Sequence, residues 1–160
     1  MKNYEETGVL TSDQFKLPTK ARFERGPVAV IECVQRIPCD PCAYVCRFGA
    51  IEKRSIIDPP EIEYDKCTGC GECVSECPGL AIFIVNSNYK EDEATITMEY
   101  EFLPTPKKGE VYQALDREGK AVGEARIVAA KMKGKQTFKV TIAVKKPFAM
   151  TVRNIGKRLR

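Results

Sequence analysis

Cys67-Thr-Gly-Cys70-Gly-Glu-Cys73-Val-Ser-Glu-Cys77-Pro78 sets three thiolates two residues apart and a fourth three residues further on. Thiolates in this C-x2-C-x2-C-x3-C-P spacing are iron–sulfur ligands, because the small residues between them, Thr68, Gly69 and Gly71, let the backbone turn its amides toward the sulfurs of a four-iron cubane. Cys77 lies too far along to close the same cage, so the motif requires a companion. That companion is upstream: Cys33, Cys39, Cys42 and Cys46 read C-x5-C-x2-C-x3-C.

The two runs are an internal duplication. A shift of 31 residues superposes Cys39, Cys42, Cys46, Ala50 and Ile51 on Cys70, Cys73, Cys77, Ala81 and Ile82. Cys33 alone is out of step, three residues earlier than a strict copy of Cys67, which implies a three-residue insertion within 34–38. Arg47 stands where the second run has Pro78, and the expectation is a less rigidly terminated first helix. Paired zinc sites would also consume eight cysteines, but they favour C-x2-C pairs joined by longer loops and often include histidine, which this chain lacks. A disulfide scaffold is likewise a poor fit to these spacings.

On these residues, 28–85 resembles a bacterial-type ferredoxin domain with two [4Fe–4S] clusters. The resemblance implies crossed ligation: Cys33, Cys39, Cys42 and Cys77 on one cluster, and Cys67, Cys70, Cys73 and Cys46 on the other. The whole chain, including the loop Ile37-Pro-Cys39-Asp-Pro-Cys42 and the stretch Pro106-Lys-Lys-Gly-Glu-Val-Tyr-Gln-Ala-Leu-Asp116, resembles the ferredoxin-type small subunits of flavoprotein dehydrogenases acting on amines or amino acids. That likeness implies a hetero-oligomer with FAD-containing partner subunits and a [2Fe–2S] subunit.

The elements that must hold these cysteines can be read from periodicity. The expected fold is α+β: a duplicated βαβ unit around the clusters, then a small antiparallel sheet or barrel. Val28-Ala-Val-Ile31 is a β-branched run leading into Cys33; Cys42 to Phe48 reads as a short helix and 50–56 as the returning strand. In the second repeat, 61–65 reads as a strand, Gly71 to Cys77 as the helix and 80–85 as the closing strand, giving an apolar shell of Ile, Val and Phe. Tyr44, Phe48, Tyr64 and Phe83 read as ordinary core. Residues 1–27, with Pro18, Gly26 and Pro27, read as an arm over a surface or as disorder.

Residues 86–93 form a polar connector, and 94–144 a β-rich module with strands at 94–103, 110–115, 121–132 and 137–144. Its turns fall at 104–109, 116–119 and Lys133-Gly-Lys135. The module shows no phosphate loop, no nucleophile elbow and no histidine for acid–base work, so no catalytic residue is assigned.

The 160 residues, 43% apolar and 30% charged, are globular in composition. No stretch has the length and apolarity of a secretory signal or a membrane span, and eight free thiols suit a reducing, anaerobic cytoplasm. Charge is segregated. Residues 126–160 carry eleven Lys and Arg and no carboxylate, which leaves fifteen cations against 22 carboxylates, a balance of −7, before them. In the tail, 145–160, Lys145, Lys146, Arg153, Lys157, Arg158 and Arg160 interleave with Phe148, Met150, Val152, Ile155 and Leu159, a pattern that favours docking on a partner over a solvated end or nucleic-acid binding.

Three functions follow. The leading one is a non-catalytic electron-transfer subunit passing single electrons between a flavoprotein dehydrogenase and an external carrier. The others are a free-standing ferredoxin and an iron–sulfur regulatory or nucleic-acid-binding module.

Overall fold

The computed structural model describes residues 4–133 and 137–160. The expected turn at Lys133-Gly-Lys135 lies largely outside the described residues. The first 27 residues hold two short helices, α1 (Tyr4–Thr7) and α2 (Lys20–Glu24). Thr19 caps α2, its hydroxyl accepting the Arg22 amide at 3.2 Å and satisfying one orphan donor of the first turn. This segment is packed down: Arg22 is buried, and the Tyr64 hydroxyl donates to the Lys16 carbonyl at 2.7 Å.

The cysteine-bearing part runs β1 (Val28–Ile31), α3 (Pro41–Val45), β2 (Ile51–Glu52), then β3 (Glu61–Ile62), α4 (Glu72–Glu76) and β4 (Ile82–Asn86). β1 lies antiparallel to β4, from Val28 opposite Val85 to Ile31 opposite Ile82, and β2 pairs antiparallel with β3 through Ile51 and Ile62. Both helices are shorter than expected, one turn each. Pro41 starts α3, where its missing N–H costs nothing. Both helices stop at a cysteine in extended backbone, Cys46 at φ −72° and ψ 92°, Cys77 at φ −80° and ψ 105°. The two ends match although one precedes Arg47 and the other Pro78, so proline is not what terminates the turn.

Beyond β4 come β5 (Glu93–Tyr100), β6 (Val111–Leu115), β7 (Ala121–Lys133) and β8 (Thr137–Lys145), close to the expected strands, and β9 (Asn154–Arg158), which was not expected. Their relation to the first part differs from expectation. β4 pairs directly with β5, Ile84 opposite Thr97, so the chain forms one seven-stranded antiparallel sheet in the order β1-β4-β5-β8-β7-β6-β9. The polar connector is a hairpin inside that sheet and not a boundary.

Strand alternation divides the buried apolar side chains among three cores, the smallest of them Val30, Val85, Ala94 and Ala149. On β4, Ile82 and Ile84 face the cysteines together with Ala29, Ile31, Ile51, Ile62 and Val74. Phe83 faces the other way, into a core of Ile96, Met98, Tyr112, Ile127, Val140, Ile142, Val152 and Ile155. That second core draws on β4 through β9, so the sheet coils around it while remaining an open sheet edged by β1 and β9.

The stretch 145–160 is not a projecting tail. Ala149, Val152 and Ile155 are buried, β9 pairs with β6 through Ile155 opposite Ala114, and Arg153 is buried. Three of its basic residues find carboxylates within the chain: Arg153 pairs with Glu32 at 2.6 Å, Arg158 with Glu110 at 2.9 Å and Arg160 with Glu124 at 2.8 Å. Of the apolar side chains read as partner contacts, Val152 and Ile155 are buried in the protein's own core, each fully buried one contributing about 1.5–3 kcal/mol, Phe148 and Met150 pack partly buried against it, and Leu159 stays 45% exposed.

Candidate iron–sulfur centre

Cys33 follows β1, Cys42 and Cys73 lie on α3 and α4, Cys46 and Cys77 end those helices, and Cys39, Cys67 and Cys70 lie in the loops before them. Cys42 and Cys73 are buried, Cys70 is exposed, and the other five are intermediate. Main-chain amides aim at the sulfurs in a repeated way. Ala50 N–H donates to Cys46 Sγ at 3.2 Å and Ala81 N–H to Cys77 Sγ at 3.4 Å, the same i, i+4 contact in each repeat, while Ala29 N–H donates to Cys67 Sγ at 3.5 Å. Donors of this kind stabilise negative charge on sulfur.

The second loop depends on glycine. Gly69 and Gly71 have φ of +70° and +79°, and a Cβ at Gly69 would stand 2.5 Å from the Pro27 carbonyl oxygen. Lys53 holds the first loop from outside, its ammonium donating to the Cys39 and Ile56 carbonyls.

The cysteines influence one another across the two repeats. Burial pushes the Cys42 thiol up to about 11, and Cys77, Cys33 and Cys39 add to the rise. Burial also raises Cys33, again with Cys77 as the next contributor. Cys73 is pushed up to about 12, by burial first and then by Cys67, Cys70, Cys46 and Cys42. Cys77 therefore bears on the first-repeat thiols, and Cys46 on the second. Cys46, Cys67, Cys70 and Cys73 also line one pocket, with Ala29, Ile51 and Ile84 among its apolar walls.

The donor set fits an iron–sulfur cluster. Eight thiols, no histidine, inward amides and a dry aliphatic shell provide soft anionic ligands and the donors that stabilise them. Among the described residues, no three His, Cys, Asp or Glu converge tightly enough to hold a single ion. A cubane makes a different demand, since it presents a separate iron to each cysteine.

Two aromatic expectations are corrected. Tyr44 is 93% exposed and Phe48 50%, whereas Phe83 is buried and Tyr64 packs against the aliphatic shell. With one turn of α3 facing inward through Cys42, Tyr44 two residues later falls on the opposite side.

Three side chains beside the site have no signature in the spacing. Glu32, next to Cys33, accepts from Arg117 at 2.9 and 2.6 Å and from Arg153 at 2.6 Å. The Arg153 guanidinium also lies 4.8 Å from the centre of the Phe83 ring. Burial raises the Glu32 carboxyl, but the Arg117 hydrogen bond and the Arg153 charge outweigh it and hold it below the usual range.

Residues 60–83 match the family described as 4Fe-4S binding domain. An iron–sulfur cluster site is thus supported from outside the chain as well as from its geometry. Over 46 residues, 29% of this chain, it is 48% identical to pyruvate synthase subunit PorD of Methanothermobacter marburgensis, covering 51% of that protein. Over 86 residues, 54% of this chain, it is 34% identical to the B subunit of selenate reductase from Mesobacillus selenatarsenatis, covering 29% of it. It is also 44% identical over 46 residues, 29% of this chain, to the B subunit of the ion-translocating oxidoreductase complex of Methanosarcina acetivorans, covering 17% of it. The chain spans about half or less of each of these relatives, and all three are named as subunits. No solved structure matches. Among the described residues, no helix is long and apolar enough to cross a membrane.

Proposed function

We propose that the protein is an electron-transfer subunit with two [4Fe–4S] clusters, one on Cys33, Cys39, Cys42 and Cys77 and the other on Cys67, Cys70, Cys73 and Cys46. Residues 28–85 then constitute a duplicated βαβ ferredoxin unit, and the subunit passes single electrons between a flavoprotein dehydrogenase subunit and an external carrier. Carrying this reading is the pocket in which Cys46 of the first run meets Cys67, Cys70 and Cys73 of the second, with main-chain amides turned on Cys46, Cys67 and Cys77.

When bound, the clusters supply reversible one-electron storage. The chain supplies the environment. Ala29, Ala50 and Ala81 direct amides at sulfur, which favours the added negative charge of a reduced cluster; the Ile and Val shell excludes water and disfavours it. Exposed Cys70 brings the edge of its site to the surface, where an electron can cross to a partner. FAD-containing dehydrogenase subunits, a [2Fe–2S] subunit and an anaerobic cytoplasm complete the proposal, in keeping with relatives that are themselves named as subunits of larger enzymes.

Protein prepared anaerobically is expected to contain about eight iron and about eight acid-labile sulfide per chain. Zinc without sulfide would overturn the cluster reading, and a value near four would leave one site unbuilt. Co-purification from the native host is expected to bring down partners with flavin absorbance; a lone monomer would remove the flavoprotein from the proposal.

A further inference from the structure

Arg22 is only 6% exposed, yet its guanidinium donates solely to main-chain carbonyls among the described residues: Tyr64 at 2.9 Å, Gly26 at 3.3 Å, Pro27 at 3.0 Å and Cys67 at 2.5 Å. The other buried arginine, Arg153, shares Glu32 with the half-buried Arg117. Arg22 has no such carboxylate among the described residues. Arginine stays charged at any relevant pH, and a charge taken out of water without a counter-charge is among the costliest arrangements in a protein interior. Four carbonyl dipoles offset part of that cost.

The four carbonyls belong to two segments, 26–27 ahead of β1 and 64–67 leading into the second loop. Pro27 is also the residue against which Gly69 packs, and Ala29, two residues further on, donates its amide to Cys67 Sγ at 3.5 Å. The one buried cation lacking an acidic partner among the described residues thus points at the main chain of a cysteine.

We propose that Arg22 is the internal counter-charge of the second cluster, so that α2 is part of the cluster's electrostatic site. The inference rests on the cluster reading above. A cubane held by four thiolates is anionic, and it gains one more negative charge when a single electron enters. A fixed buried cation beside Cys67 stabilises the reduced form more than the oxidised one and raises the potential of that cluster. Arg117 and Arg153 are paired with Glu32, and Arg153 stacks on Phe83, on the face of the sheet turned away from the cysteines, so Arg22 acts on one cluster of the two. Arg22 is a positioning and charge-compensating residue; it transfers no proton and no electron.

The test is an anaerobic redox titration followed by paramagnetic resonance, with iron and sulfide measured on the same samples of the full chain and of Arg22→Met and Arg22→Lys. Methionine keeps much of the side-chain volume and removes the charge. One of the two couples is expected to become at least tenfold less reduced at a given ambient potential, a fall of 59 mV for a one-electron couple, while the other stays in place. Selective loss of about four iron from Arg22→Met, with Arg22→Lys retaining about eight, supports the same role. Lysine keeps the charge but cannot reach four carbonyls at once, so its ratio is expected to stay within about threefold of the native one. Unshifted couples in a fully loaded Arg22→Met would overturn the proposal. So would a shift in Arg22→Lys as large as that in Arg22→Met, which assigns Arg22 to packing, and should Arg22→Met not accumulate, the lysine variant decides alone by the same limit. Absence of iron and sulfide from the native chain would instead remove the cluster reading and is distinguishable from either result.

Discussion

At the scale of the residue, Cys46 and Cys77 distinguish a crossed ligand set from two separate ones. Each ends its own helix in the same extended backbone and accepts an amide from the alanine four residues on, yet Cys46 lines the pocket of Cys67, Cys70 and Cys73, in the other repeat. Cys46→Ser is expected to damage the cluster of Cys67, Cys70 and Cys73, and Cys77→Ser that of Cys33, Cys39 and Cys42. Paramagnetic resonance on the two variants is the measurement; if each substitution disturbs only the cluster of its own repeat, the crossed assignment fails. The eight proposed ligands stand out in the sequence because ligand spacing is local. Glu32 does not, because its partners Arg117 and Arg153 are 85 and 121 residues away. Nothing in a linear pattern distinguishes those arginines from surface ones.

At the scale of the element, strands are easier to read than helices or the tail. Alternation marks β5 to β8 to within a few residues, because a sheet with a core on one face imposes period two. The helices come out shorter than their pattern suggests, since the cysteines at their ends take extended backbone to reach the site. The tail misleads for a different reason: interleaved basic and apolar residues describe both a docking segment and an amphipathic edge strand. The structure shows the second, with Ile155 4% exposed and Val152 fully buried. Truncation after Val144 is therefore expected to unfold or precipitate the protein, because it removes β9 and leaves Glu32 without Arg153. Ile155→Ala should cost about 2–5 kcal/mol, read from the denaturant midpoint. A truncated chain that keeps its clusters and melts within a few degrees of the full one would return 145–160 to the role of a docking tail outside the fold.

At the scale of the whole molecule, the cluster-bearing part and the β-rich part share one sheet, and this bears on how they unfold. The β4–β5 ladder joins them, Phe83 of β4 enters the core of the far strands, and Glu32 at the end of β1 is bound to arginines before β7 and β9. Two domains joined by a linker would lose structure separately, whereas a shared ladder and a buried ion cluster transmit the loss of either half to the other. Cluster binding adds to this coupling, since the energy of filling a metal site is partly energy of folding. Heating the anaerobic protein should therefore bleach the visible absorption of the clusters and abolish the far-ultraviolet β signal in one coincident transition. Glu32→Gln should lower the stability read from that transition by about 3–5 kcal/mol, because it leaves two poorly solvated guanidinium groups without their carboxylate, and should lower both signals together. Bleaching that precedes the loss of β signal by a clear interval, in either protein, would mean that the two halves are energetically independent despite their common sheet.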